Sequence, residues 1–142
     1  MKNIVVCMPM DDENQNAIIK KLGKMQWLKD AHLTLVHVFK EENYPYMAPP
    51  TIYPNKEQKV EIKKTIKEIF DGLAKDLDFK EKSSECLFHS NPKEGMVEYL
   101  KKRKQDLVIS YTQEKHGLRD YFHSSFTEYL IKHSPCDVLT IR

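Results

Sequence analysis

Apolar positions along the chain follow two alternating rhythms. Nearly continuous apolar runs occur at 3–8 (NIVVCM), 32–39 (HLTLVHVF), 84–90 (SECLFHS), 106–111 (DLVISY) and 136–142 (CDVLTIR). Runs of this kind suit strands covered on both faces. Between them the apolar residues take helical spacing. Ile18, Leu22 and Met25 fall at i, i+4, i+7 and predict a helix from Asn16 to near Asp30, with Asp11, Asp12 and Glu13 at its positive end. Ile62, Ile66, Ile69, Phe70, Leu73 and Leu77 form the longest amphipathic stripe, among lysines and glutamates. Asn91-Pro92 reads as a cap and first-turn proline for a helix burying Met96, Val97 and Leu100. Phe126, Tyr129 and Leu130 mark a last helix over Ser125–His133, which Pro135 stops.

Strands that alternate with helices pair in parallel through right-handed crossovers. The expected architecture is one domain, residues 1–142, with a doubly wound five-stranded parallel sheet and helices on both faces. In such α/β folds ligands bind beyond the carboxyl ends of the strands. That places a candidate site on the loops after the first strand (Pro9 to Asn14), after the second (around Val38) and after the fourth (Tyr111 to Ser125). The segment KEENYPYMAPPTIYPN has four prolines and no periodicity, and reads as a loop. Its Tyr44, Tyr46, Met47, Ile52 and Tyr53 either cover a sheet edge or form a flap.

Charge narrows the classes of partner. Twenty-three basic against 21 acidic residues leave a net +2, too balanced for a nucleic-acid footprint. The cluster Lys101-Lys102-Arg103-Lys104 suits a helix carboxyl end. No run is apolar and long enough to span a membrane, and Met1-Lys2 leads straight into a strand, so a cytoplasmic location is expected. Cys7, Cys86 and Cys136 lie apart, in or beside apolar runs, and read as reduced thiols.

Catalytic signatures are missing. GxxxxGK[ST], GxGxxG, GxSxG and HExxH do not occur, nor does a metal-binding CxxC spacing. His37, within the second strand, reads as a core or strand-end histidine. His116 and His123 flank the loop after the fourth strand, where an anion would sit, although solvated loop positions are the simpler reading. Asp11 is open between a ligand contact and a helix cap.

Four segments resemble one known family, the universal stress proteins. NIVVCMPMD carries a Pro-x-Asp after the first strand, and HLTLVHVF carries a His-Val. NPKEGMVEYLKKRKQDLVIS leads a helix into an Asp-Leu strand, and SSFTEYLIKHSPCDVLTIR resembles the family's closing motif. The resemblance implies an adenine nucleotide alpha hydrolase-like, Rossmann-like fold over the whole chain. It aligns Pro9, Asp11 and Val38 with adenosine-side contacts, and Ser125, with Thr127 two residues on, with the phosphate-side hydroxyl. In ATP-binding members the loop reads Gly-x-x-Gly, nine residues, then Gly-Ser or Gly-Thr. Here Tyr111, Glu114 and Ser124 stand at the glycine positions. Glycines allow positive φ and close approach of N–H groups to phosphate, which these residues obstruct. Lys115 and Arg119 stand close enough in sequence to offset the carboxylate of Glu114. The resemblance therefore implies a stress-response protein acting through protein contacts, without turnover, strong ATP binding or a resident cofactor. The alternative is an adenosine-nucleotide-binding member that retains ATP with Mg on a modified loop. It also implies a homodimer through the closing strand, 136–142, protein partners it does not name, and neither nucleic acid nor membrane as partner.

Overall fold

The computed structural model describes residues 2–112 and 118–142, with the backbone alone over 118–124. The elements run β1 (Asn3–Cys7), α1 (Asp12–Gly23), a 3-10 turn (Gln26–Leu28), β2 (His32–Lys40), β3 (Glu42–Tyr44), β4 (Thr51–Tyr53), α2 (Lys56–Ala74), β5 (Glu81–His89), α3 (Pro92–Arg103), β6 (Leu107–Tyr111), α4 (Leu118–His133) and β7 (Asp137–Ile141). Five strands form one parallel sheet in the order β5-β2-β1-β6-β7. This is the expected doubly wound α/β architecture. The chain winds outward from β1 to β5, then returns to β6 on the other side, so the strand order reverses between β1 and β6.

Alternate residues of each central strand feed opposite cores. Ile4, Val6, Leu33 and Leu35 pack with Ile18 and Leu22 of α1 and with Ile66 and Phe70 of α2. Val5, Val36 and Val108 pack with Met96 and Leu100 of α3 and with Leu130 of α4. Burying a side chain such as Phe70 completely contributes roughly 1.5–3 kcal/mol.

Three boundaries depart from the expectation. The helix expected over 16–30 begins at Asp12, because Asp11 caps it, and ends at Gly23 before the separate 3-10 turn. α2 starts at Lys56, ahead of its first apolar stripe residue, because Asn55 and Gln58 form a reciprocal capping box; Leu77 lies past its end. α4 begins at Leu118 rather than Ser125. The Pro-rich segment is not a plain loop either. β3 and β4 pair antiparallel, Glu42↔Tyr53 to Tyr44↔Thr51. Tyr44, Met47 and Ile52 are about half exposed and Tyr46 is 100% exposed.

Asp106 ties the start of β6 to the N-terminal strand. Its Oδ2 accepts the N–H groups of Lys2 and Asn3, each at 2.9 Å. Those bonds hold its carboxyl below the usual range. A carboxyl with a depressed folded pKa adds stability above its unfolded value, and that stability is lost as pH falls through the folded value. Thermal melts of wild type and Asp106→Asn are therefore expected to differ at pH 7 and to converge towards pH 3. A constant gap across that range would remove the titration of Asp106 as the cause.

Candidate functional site

A cavity of about 620 Å³ opens at the carboxyl ends of β1, β2 and β6, where the strand order reverses. Its volume is that of a small-molecule site. Met8 and Pro9 follow β1, Val36 to Lys40 come from β2, and Ser110 and Tyr111 end β6. Met96 and Phe126 close it from α3 and α4, Asn14 from α1, and Glu42 and Tyr53 from the hairpin.

Unequal strand lengths create its most specific feature. The pairing of β1 with β2 ends at Cys7↔Val36, and the Met8 N–H donates to the Val36 carbonyl at 2.8 Å. β2 continues to Lys40 beside β5 alone, with Val38↔Leu87, Phe39↔Phe88 and Lys40↔His89. Main-chain groups alternate sides along a strand, so Val38, like Val36, turns its N–H and C=O towards the β1 side. There β1 has already turned away through Pro9. A donor and an acceptor of the same residue thus face the cavity, a pattern suited to the edge of a flat heterocycle.

His37 sits beside this edge. Its Nδ1 lies 2.8 Å from the Met8 carbonyl, and its ring meets Phe39 edge-on at 6.4 Å between centroids. Burial pushes the imidazole below its ordinary pKa, with the Met8 bond opposing. Burial likewise pushes the Cys7 thiol up to about 12, so it is not a nucleophile. Lys40 and Glu42 are the charged residues on the wall among the described residues.

The residues expected to form a site do not all reach the cavity. Pro9 and Val38 line it, and the Pro9 carbonyl accepts from Gln15 Nε2 at 2.9 Å. Asp11 acts as the α1 cap: its Oδ2 accepts the Asn14 N–H at 3.0 Å and its Oδ1 accepts from Asn14 Nδ2 at 3.1 Å. Ser125 accepts a hydrogen bond from Lys93 Nζ at the start of α3. Thr127 is buried, 4% exposed, with its hydroxyl 2.7 Å from Ser110 Oγ. Tyr111 lines the wall without filling the cavity and packs on the core. Glu114, Lys115, His116 and Gly117 lie outside the described residues, as do the side chains of Arg119, Tyr121, Phe122, His123 and Ser124. The sequence reading placed Asn14 at the end of a site loop, left Tyr53 between an edge cover and a flap, and read His37 as a core or strand-end histidine; it did not single out Glu42 or Phe126 as wall residues.

Thr127 is placed to pin α4 to β6. Thr127→Val leaves the Ser110 hydroxyl buried without its partner and is expected to cost about 1–2 kcal/mol. Chemical denaturation checks this, and a variant as stable as wild type would show that the Ser110–Thr127 pair does not hold α4 to β6.

Known proteins of similar sequence and fold follow the same lines. The family model for the universal stress protein family matches residues 1–142. The chain belongs to the universal stress protein family. A solved universal stress protein in complex with cAMP is 15% identical with a TM-score of 0.68, covering 99% of this chain and 96% of that one. UspA from Lactobacillus plantarum is 20% identical with a TM-score of 0.66, covering 99% and 97%. The Archaeoglobus fulgidus universal stress protein in complex with dAMP is 13% identical with a TM-score of 0.66, covering 100% and 98%. At these identities the likeness establishes the shared fold. No curated protein matches the chain in sequence. Among the described residues, no helix of this universal stress protein domain is long and apolar enough to cross a membrane.

Proposed function

We propose that this domain binds an adenosine-class ligand of low charge in the cavity between β1, β2 and β6, without strong ATP binding and without turnover. It then acts in a stress response through protein contacts. The observation that carries this reading is the open Val38 edge, set in a largely apolar slot of about 620 Å³. An adenine ring has a donor and an acceptor on one edge and apolar faces, so it matches both features. Low ligand charge follows from the wall, where among the described residues the cation Lys40 is accompanied by the anion Glu42. The family resemblance, which aligns Tyr111, Glu114 and Ser124 with loop glycines, points the same way. Relatives solved with cAMP, dAMP and, in Arabidopsis thaliana, AMP make an adenine compound the first class to test.

One observation favours the second reading, ATP with Mg. Lys93 on Ser125 brings a cation to the hydroxyl that aligns with the family's phosphate side. Calorimetric titration with adenosine, AMP and Mg-ATP decides between them. Adenosine or AMP is expected to bind at least tenfold more tightly than Mg-ATP. Tighter Mg-ATP binding would establish the second reading, and no binding by any of the three would end both.

The homodimer belongs to the same proposal. The Thr112 N–H donates to the Ile141 carbonyl at 2.8 Å, so Ile141 and Leu139 face β6. Val138 and Thr140 then turn their main-chain groups to the outer edge of β7, an edge that pairing with a second copy would cover. Thr140→Pro removes one edge N–H and leaves the β6 ladder intact. It is expected to convert a dimer to monomers in light scattering, and a folded variant that stays dimeric would refute the β7 interface.

A further inference from the structure

His37 is a polar ring on a largely apolar wall, and its two nitrogens differ. Nδ1 faces the Met8 carbonyl at 2.8 Å. A carbonyl only accepts, so Nδ1 carries the proton, and in the neutral ring Nε2 is left as a bare acceptor. The edge-on contact with Phe39, at 76° between planes, holds the ring in that orientation. What the ring can offer to a molecule in the cavity is therefore Nε2. It stands next in sequence to the open main-chain edge of Val38.

We infer that His37 is a specificity-determining residue of the cavity, its Nε2 accepting an N–H or O–H from the bound adenosine-class ligand. The inference rests on the ligand class proposed above and names the residue that reads it. A ring protonated at Nε2 is a donor, and it then opposes the donor of the ligand. Burial, by holding the imidazole below its ordinary pKa, keeps the acceptor form through neutral pH. Affinity should therefore be constant at pH 7–8 and fall in mildly acid solution, by up to tenfold per pH unit, as protonation competes with the ligand.

Among the described residues, the other titratable groups on the wall are Cys7 from β1, Lys40 on β2, Glu42 from β3, Tyr53 from β4 and Tyr111 from β6. The described residues that α1, α3 and α4 bring there, Asn14, Pro92, Met96 and Phe126, do not titrate. Cys7, with its pKa pushed up to about 12, remains a thiol throughout. Glu42→Gln is the control for the remaining acid on the wall.

The experiment is calorimetric titration of the full chain with adenosine between pH 5 and 8. Adenosine itself has no group that titrates in that interval. His37→Asn places an amide N–H where Nδ1 stands, keeps the bond to Met8 and puts nothing at Nε2. It is expected to bind about tenfold more weakly at pH 7.5 and to lose the acid fall-off. Glu42→Gln is expected to keep the wild-type slope. A flat wild-type profile, or a His37→Asn profile identical to wild type, overturns the role of His37. Should the Asn variant fail to fold, the wild-type and Glu42→Gln profiles decide by themselves. If neither adenosine nor AMP binds the wild type at any pH, the adenosine-class reading has failed. Adenosine that binds with a flat profile sinks only the inference about His37.

Discussion

Gly95→Ala is expected to destabilise this domain and weaken its proposed ligand site together, although alanine is the better helix former. In an open helix interior the exchange favours the fold by roughly 0.5–1 kcal/mol. At Gly95 a Cβ would stand 2.8 Å from the Cβ of His89, 3.0 Å from its Cγ and 3.1 Å from Cγ1 of Val38. The nearest of these is fixed to the β5 backbone, so α3 itself must lift from the sheet. Overpacking of this kind typically costs about 1–3 kcal/mol, enough to reverse the propensity gain. Val38 is pushed at the same time, and it carries the open edge of the cavity. Affinity for the proposed adenosine-class ligand should fall about tenfold. Gly72→Ala is the internal control: nothing lies within 4 Å of the position its methyl group would take on α2, so the same exchange should stabilise by up to about 1 kcal/mol. Urea unfolding of the two variants should give opposite signs. Matching signs would show that α3 has room to move and that the close approach of Gly95 is not a constraint.

The contrast between those two glycines shows what a sequence conveys about this fold. Both read alike along the chain, as poor helix residues inside amphipathic patterns. Only the packing of α3 over β2 and β5 separates them. The sheet was legible because its signals are local: uninterrupted apolar runs such as HLTLVHVF, and the Asn91-Pro92 opening of α3, whose cap accepts the Lys93 N–H. The hairpin was not, because β3 and β4 have three residues each, among prolines, and too few positions to display a period. The cavity was legible as a place, since the order of elements puts it at the ends of β1, β2 and β6. Its chemistry was not. His37 belongs to the wall because β1 stops short of β2, a fact about two strands remote in sequence. Asp11, equally balanced between cap and ligand contact in the sequence, is engaged as the cap of α1.

Replacing Lys82 by methionine is expected to loosen the carboxyl end of α2. The last carbonyls of a helix have no partner within it, and the negative end of its dipole favours a cation. α2 has no basic residue in its last turn. The cation comes instead from β5: Lys82 Nζ donates to the carbonyls of Ala74, Lys75 and Leu77 at 2.9, 3.1 and 3.0 Å. One ammonium thus satisfies three acceptors and joins α2 to the edge strand β5. Methionine keeps a stem of similar length and removes the charge and all three donors. Water can replace part of what is lost, because the lysine lies at the surface, so the expected cost is about 1–2 kcal/mol rather than the full sum of three charged bonds. For a domain of this size that lowers the melting temperature by roughly 3–8 °C. Lys80→Met, two residues away on the chain, serves as the control for removing a surface charge and should shift melting far less. Hydrogen exchange locates the effect, with faster exchange expected over the last turns of α2 and little change in α1. Equal melting of Lys82→Met and wild type would mean that the three carbonyls are as well served by water, and that the clamp adds nothing to stability.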